Sequence, residues 1–204
     1  MAASGLTYGP LGPSCIHLCV DMQRLFAEGS PWETPWLPRV AHNVEQIVSR
    51  HPRNTIFTRF IPADHAGQGI GGWRRYYERW ASMTLAVAGT QLISLLPSLA
   101  RYAPPAHVVD KQVYSPWTEG LLDSLLSGTH IDTLVITGTE TDICVLSTVL
   151  GAVDRGYRVI VVTDALCSSS DETHDALMTF YHQRLSLQVE TADTEAVLRN
   201  WTRS

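Results

Sequence analysis

The sequence predicts a three-layer α/β/α sandwich built on a six-stranded, mainly parallel sheet. Three observations support this fold class. Apolar β-branched runs alternate along the chain with segments of helical periodicity. Several of these runs are apolar at nearly every position, which is typical of parallel strands buried on both faces. The length of 204 residues suits one domain with a large core, so we treat 1–204 as a single domain.

The elements follow one another in regular alternation. Strands are predicted at 15–20, 54–60, 107–112, 133–138, 158–163 and 185–190. Helices are predicted near 38–52, 91–100, 118–127, 142–156, 171–184 and 193–201, with a start at Asp171 and a stop at Gly156. Residues 1–14 are expected to be a flexible N-terminal segment, and they lack the basic and apolar regions of a signal peptide.

The segment 61–90 interrupts this alternation. It carries Asp64-His65, a glycine-rich stretch and four aromatic residues, Trp73, Tyr76, Tyr77 and Trp80. A long connection after the carboxyl end of a strand predicts a lid or a partner contact, although a surface helix would also place aromatics here. The stretch 67–72 fits G-x-G-x-x-G, but it begins seven residues after the strand and no acidic residue follows at the required distance. We therefore interpret it as a flexible loop and not a dinucleotide site.

Composition excludes several classes of function. A net charge of −5 disfavours nucleic acid or an anionic membrane as partner, and no apolar run approaches the ~20 residues of a membrane span. The four cysteines are expected to be reduced thiols of a cytoplasmic protein, with Cys15 and Cys19 packed in the core. The eight histidines are scattered, so no metal or cofactor is expected. A serine hydrolase elbow and a P-loop lysine are both missing from the sequence.

Cys144 is the strongest candidate for a catalytic residue. It follows the fourth predicted strand in the first turn of a helix, after the segment 138–143. The unpaired N–H groups and the positive end of the helix dipole at such a position lower a thiol pKa, which predicts an activated nucleophile. The alternative is a small core residue that happens to begin a helix.

Two charged residues end other strands at the same predicted rim. Asp21 closes the first strand and Lys111 closes the third. Ligands of open α/β sheets bind at the carboxyl ends of strands, so Asp21, Lys111 and Cys144 could act as base, electrostatic partner and nucleophile. Taken singly, Asp21 could instead be a cap and Lys111 a surface charge.

Four motifs resemble the isochorismatase-like cysteine hydrolase superfamily, which includes nicotinamidases, N-carbamoylsarcosine amidohydrolases and ureidoacrylate or biuret amidohydrolases. The motifs are Val20-Asp21-Met22-Gln23 with Phe26, Lys111-Gln112-Val113-Tyr114-Ser115, Gly138-Thr139-Glu140-Thr141-Asp142-Ile143-Cys144-Val145 and Val162-Thr163-Asp164-Ala165. The resemblance covers nearly the whole chain. It implies the strand order 3-2-1-4-5-6 and a cis peptide bond between Thr139 and Glu140.

The resemblance also implies a mechanism. Asp21 takes the thiol proton of Cys144 and later passes it to the leaving amine, while Lys111 stabilises the thiolate and keeps Asp21 ionised. Cys144 attacks an amide or ureido carbonyl, and water hydrolyses the resulting thioester. The backbone N–H groups of Glu140 and Cys144 form the oxyanion hole.

Four further residues are predicted to bind substrate at the rim, namely Phe26, Arg59, Tyr114 and Trp117. Aromatic walls and one guanidinium suit a small amide or carbamoyl compound that is neutral or singly anionic. The Asp-x-His motif of metal-dependent nicotinamidases is absent from the sequence after the second strand. A vinyl ether hydrolase of isochorismatase type and a non-hydrolytic thiol redox or binding protein remain as alternatives.

The tryptophans suggest association with a second copy. Of the six, Trp32, Trp36, Trp73 and Trp80 lie in or near irregular segments, where an aromatic surface would need a partner to cover it. The resemblance also favours a homo-oligomer, so we expect a homodimer or homotetramer.

Overall fold

The core of the protein is a six-stranded parallel sheet. The computed structural model describes residues 6–27 and 29–202. The strands are β1 (Cys15–Val20), β2 (Thr55–Phe60), β3 (His107–Lys111), β4 (Thr133–Thr139), β5 (Arg158–Cys167) and β6 (Val189–Ala192). Their order in the sheet is β3-β2-β1-β4-β5-β6, and every neighbouring pair is parallel. The predicted strand order is confirmed.

Helices cover both faces of the sheet. They are α1 (Leu37–Arg50), α2 (Gly72–Arg79), α3 (Leu85–Ala88), α4 (Pro97–Ala100), α5 (Leu121–Leu126), α6 (Leu146–Asp154), α7 (Asp171–Gln183) and α8 (Thr194–Asn200). Helices α1 and α8 pack on one face, and α5, α6 and α7 pack on the other. The three-layer sandwich is therefore confirmed.

Burial on both faces explains the apolar character of the central strands. Every residue of β4 is buried, and β1 sends Cys15 and Cys19 to the face of α1 and Leu18 and Val20 to the face of α6. Cys15 and Cys19 are 0 % exposed, as expected for core residues.

Several element boundaries differ from the predicted ones, and β5 extends to Cys167 and not to 163. β6 begins at Val189 and not at 185, because the carbonyl of Leu185 accepts the N–H groups of Gln188 and Val189 in a turn. The helix predicted at 91–100 is reduced to α4, since Leu95 pairs with Gln23 in a β-bridge and Pro97, which lacks an N–H, begins the helix. The predicted lid segment 61–90 contains α2 and α3.

The N-terminal segment is only partly described, since residues 1–5 lie outside the described ranges. Leu11 is buried, pairs with Trp201 in a β-bridge and donates its N–H to the carbonyl of Asn200 at 2.8 Å. Leu11 is thus tied to the end of α8, and the flexibility of the N-terminal segment stays a prediction. None of the helices in the described ranges is long and apolar enough to cross a membrane.

A close approach between β1 and β4 creates the point where the strand order reverses. Gly138 lies opposite Val20, and a Cβ atom on Gly138 would lie 2.0 Å from the Val20 carbonyl oxygen. The φ of Gly138 is +119°, a value that other residues rarely adopt. Glycine at this position lets β1 and β4 lie close together. The segments that lead from these strands to Asp21 and Cys144 therefore leave the sheet side by side.

Candidate active site

The structure brings Asp21, Lys111 and Cys144 into direct contact at the carboxyl ends of the strands. Lys111 Nζ lies 2.6 Å from Asp21 Oδ2 and 3.4 Å from Cys144 Sγ. The Asp21 and Lys111 side chains are 0 % and 1 % exposed, and Cys144 is 5 % exposed. A carboxylate, an ammonium and a thiol thus share one desolvated site, as the sequence predicts.

Asp21 is held in one orientation by β2. Its φ is +52°, in the left-handed region that aspartate visits more readily than most residues. Thr58 Oγ1 donates to Asp21 Oδ1 at 2.6 Å, and the Asp21 N–H donates to the carbonyl and hydroxyl oxygens of Thr58. One carboxylate oxygen therefore contacts Thr58 and the other contacts Lys111.

Lys111 uses its ammonium to join three groups. Besides Asp21 and Cys144, Nζ donates to the carbonyl oxygen of Val113 at 3.3 Å. Burial disfavours the ammonium, but the charge of Asp21 and the hydrogen bonds to Asp21 and Cys144 outweigh that effect and raise the Lys111 pKa. The side chain therefore stays cationic inside the protein and offsets the Asp21 charge.

Cys144 lies in a single π-helical turn, Thr141–Val145, that precedes α6. Burial raises the pKa of the Cys144 thiol, and this effect exceeds the lowering by the charge of Lys111. The low pKa expected from the helix-start position is therefore wrong for the free protein. The resting thiol is protonated, so a neighbouring base has to remove its proton before attack.

The residues between β4 and Cys144 are fixed by contacts to the end of β5. The Thr139–Glu140 peptide bond is cis, as the resemblance implies. Thr141 Oγ1 donates to the carbonyl of Cys167, and the Glu140 carboxylate accepts the N–H of Ser169 at 3.3 Å. Burial raises the pKa of the Glu140 carboxyl.

A cavity of about 270 Å³ opens onto Cys144. Its walls are largely aromatic and include the predicted residues Phe26 and Tyr114. Glu140 and Ser169 follow the ends of β4 and β5, and the 61–90 segment contributes Tyr76 and Trp80 to the lining. This volume suits a ligand of a few heavy atoms.

Arg59 and Trp117, two of the predicted substrate-binding residues, lie away from this cavity. The Arg59 guanidinium forms two hydrogen bonds with the carboxylate of Asp110, its register partner on β3, at 2.7 and 2.8 Å. Trp117 is buried under α6, where its Nε1–H donates to the Thr148 carbonyl at 3.0 Å. Arg59 is therefore already paired with a carboxylate on the neighbouring strand, and Trp117 is part of the core.

The tryptophans expected on the surface pack mainly around the cavity. Trp32 is buried, and its ring centroid lies 6.2 Å from that of Trp80. Trp73 stacks with Phe60 at 6.2 Å, whereas Trp36 is 43 % exposed. The aromatic argument for association therefore applies only to Trp36, and the oligomeric state stays a prediction.

Sequence analysis gave no role to two buried residues that brace the site, Thr58 and Gln23, although Gln23 belongs to the motif that contains Asp21. Gln23 Nε2 donates to the carbonyls of Phe60 and Ile93, and its Oε1 accepts the Phe60 N–H at 2.7 Å. A buried glutamine two positions after a candidate base was the available clue, because such an amide needs several partners.

Within residues 6–27 and 29–202, no three His, Cys, Asp or Glu side chains are grouped as a metal site would need. The same ranges contain four free, buried cysteines, Cys15, Cys19, Cys144 and Cys167.

The fold and the site define a hydrolase-like α/β protein with a buried cysteine at the switch point. The isochorismatase domain family matches residues 15–193, so the chain belongs to the isochorismatase family. Members of this family are hydrolases, and amidases occur among them.

Similar proteins agree with this assignment. Nicotinamidase 3 of Arabidopsis thaliana is 26 % identical over 79 % of this chain and 77 % of its own length. A probable inactive nicotinamidase of the same plant is 27 % identical over 78 % and 83 %. A cysteine hydrolase structure from Pseudomonas syringae has a TM-score of 0.79 at 22 % identity over 98 % of both chains. For N-carbamoylsarcosine amidase from Thermoplasma acidophilum the TM-score is 0.71 at 21 % identity, over 89 % of this chain and 96 % of that one.

Proposed function

We propose that this protein is a cysteine-dependent amidohydrolase that cleaves the C–N bond of a small amide or ureido compound through a thioester intermediate. The observation that carries the proposal is the contact of Lys111 Nζ with both Asp21 Oδ2 and Cys144 Sγ, of which Cys144 lines the cavity. A base, a cation and a nucleophile in mutual contact are the groups that acyl transfer requires.

The first step is a proton transfer. The Asp21 carboxylate takes the proton of the Cys144 thiol, whose pKa is raised by burial and also by the charge of Asp21. Lys111 keeps its charge and stabilises the thiolate as it forms. Because burial favours the neutral thiol, this transfer comes immediately before the sulfur attacks the substrate carbonyl carbon.

Bond cleavage then follows from the same groups. Attack gives a tetrahedral oxyanion, which the backbone N–H groups of Glu140 and Cys144 would bind, the latter in the first turn of a helix where N–H groups lack intrahelical acceptors. Protonated Asp21 gives its proton to the leaving nitrogen, and ammonia or an amine departs. Water, deprotonated by Asp21, hydrolyses the thioester and releases the acid.

The proposal can be tested by ammonia release from a panel of small amides and ureido compounds. We expect turnover by the wild type, no turnover by Cys144→Ala, and near wild-type turnover by Cys167→Ala. Cys167 is a matched control, because it is also buried and lies at the end of β5 outside the cavity lining. Equal activity of the two variants would exclude Cys144 as nucleophile.

Two other outcomes would support the alternatives. Release of pyruvate from a vinyl ether, without ammonia from any amide, would support an ether hydrolase. Reversible oxidation of Cys144 by peroxide, without turnover of any substrate, would support a thiol redox protein.

A further inference from the structure

The cavity above Cys144 combines aromatic walls with acidic groups. Six aromatic side chains line it: Phe26, Trp32, Phe60, Tyr76, Trp80 and Tyr114. Trp32 is central to this group, since its ring centroid lies within 6.4 Å of those of Phe26, Phe60, Tyr76 and Trp80. Rings that converge on a small cavity offer their π faces and edges to one compact group.

The charged residues of the lining are all acidic. They are Glu33, from the loop before α1, and Glu140, and each accepts one backbone N–H, from Gly29 and Ser169 respectively. Within the described ranges, neither carboxylate forms a salt bridge with a basic side chain. The wall of the cavity is therefore negative.

Two basic residues near the cavity are paired with carboxylates. Lys111 is paired with Asp21 at 2.6 Å, and Arg59 is paired with Asp110 at 2.7 Å. The charges that act on the Glu140 carboxyl are those of Asp142 and Asp21, and both raise its pKa. Two cations of the protein do lie against the aromatic walls, Lys111 Nζ at 5.2 Å from the Phe60 ring centroid and the Arg79 guanidinium at 5.7 Å from that of Trp80. Within the described ranges, neither forms a salt bridge with Glu33 or Glu140, so these carboxylates have no cationic partner of their own.

We propose that the substrate carries a cationic alkylammonium group close to its amide or ureido carbonyl. The aromatic rings hold the cation by cation–π contact while Glu33 and Glu140 balance its charge. This inference rests on the proposed amidohydrolase function and gives it a substrate class. It replaces the neutral or singly anionic substrate expected from the sequence, because the anchor for an anion was Arg59.

The size of the cavity restricts the cation to a compact one. A volume of about 270 Å³ accommodates a trimethylammonium head and an adjacent amide, but leaves little room for a long chain. Quaternary ammonium also suits aromatic walls, since its methyl groups fill the space between rings without needing hydrogen-bond acceptors.

The experiment compares two probes of the same shape and different charge. Trimethylammonioacetamide and 3,3-dimethylbutanamide differ only in the replacement of N⁺ by carbon, and their binding to Cys144→Ala is measured by calorimetry. We expect the cation to bind about 10-fold or more tightly, since cation–π contacts strengthen when they are desolvated. Equal affinity, or tighter binding of the neutral amide, would overturn the inference.

A second measurement uses the wild-type protein, so that the result does not depend on the Cys144→Ala variant. Each probe is used to protect Cys144 against alkylation by iodoacetamide, followed by peptide mapping. The cation should protect at about 10-fold lower concentration than its neutral isostere. Protection at equal concentrations would contradict the proposal.

The role of the acidic wall is tested by Glu33→Gln. This variant should bind the cation several-fold more weakly and the neutral amide with unchanged affinity. Glu195→Gln on α8 is the matched control, because its side chain is 82 % exposed and outside the cavity lining. An equal loss of affinity for the cation in both variants would mean that Glu33 does not act on the ligand from within the cavity.

Ammonia release separates the two proposals. If the cation binds preferentially but the wild type releases ammonia from neither amide, the amidohydrolase proposal fails and the charge preference stands. If the wild type hydrolyses both amides with equal kcat/KM, the amidohydrolase proposal stands and the cationic substrate class fails.

Discussion

Replacing Thr58 by valine should reduce activity far more than its distance from the thiol suggests. The Thr58 hydroxyl donates at 2.6 Å to Asp21 Oδ1 and is fully buried, so valine leaves one oxygen of the carboxylate without this donor. A hydrogen bond to a charged group contributes about 1.5–3 kcal/mol. If the whole contribution is lost in the transition state, kcat/KM falls about 10- to 150-fold, at about 1.4 kcal/mol per factor of ten.

The matched control is Thr137→Val. Thr137 is also fully buried in a central strand, and its hydroxyl lies 2.7 Å from His17 Nε2, outside the contacts of Asp21, Lys111 and Cys144. Urea unfolding should show a loss of about 1–3 kcal/mol in both variants, because each loses a buried hydrogen-bond partner.

The assay is steady-state ammonia release with the best substrate of the panel, measured beside urea unfolding of the same preparations. Activity of Thr58→Val within about twofold of the wild type would mean that Lys111 alone orients Asp21. An equally large loss in Thr137→Val would mean that general destabilisation explains both.

Four further predictions follow from the same structure. Iodoacetamide should label Cys144 first among the four cysteines, because it alone lines the cavity while Cys15 and Cys19 are 0 % exposed; comparable labelling of either would contradict the site. Dialysis against EDTA should leave activity unchanged, and a loss that zinc or manganese restores would refute the metal-free mechanism. Stability should fall as the pH drops from about 6.5 towards 3, because burial lowers the His17 pKa from 6.5 to about 3 and the unfolded chain then binds the extra proton. The slope is at most about 1.4 kcal/mol per pH unit, and urea unfolding of His17→Gln should show a flatter dependence. Light scattering should give the mass of a dimer or a tetramer of the 22.6 kDa chain, and the mass of a monomer would refute the predicted oligomer.

The positions of Asp21, Lys111 and Cys144 could be predicted because they depend on strand ends. Each follows a recognisable apolar run, and the carboxyl ends of parallel strands share one edge of the sheet. The order β3-β2-β1-β4, which makes those ends neighbours, came from resemblance. Periodicity alone finds the strands but does not say which ones pair.

The pKa of Cys144 could not be predicted from its place in a helix turn. The dipole argument applies to a thiol that keeps contact with solvent, and such a thiol would be acidic in the resting protein. Here the thiol is buried, and desolvation raises its pKa by more than the charge of Lys111 lowers it. In the proposed mechanism a protonated thiol needs a base, and this is the role that the proposal gives to Asp21.

The charge of the substrate pocket depended on a contact that sequence could not reveal. Arg59 and Asp110 lie on β2 and β3, and only their register places the guanidinium opposite that carboxylate. The same pairing that stabilises the edge of the sheet removes a cation from the rim, while Glu33 and Glu140 remain in the cavity wall. An unpaired arginine at the rim would favour an anionic amide. A rim whose arginine is paired with a carboxylate, and whose glutamates form no salt bridge, favours a cationic amide.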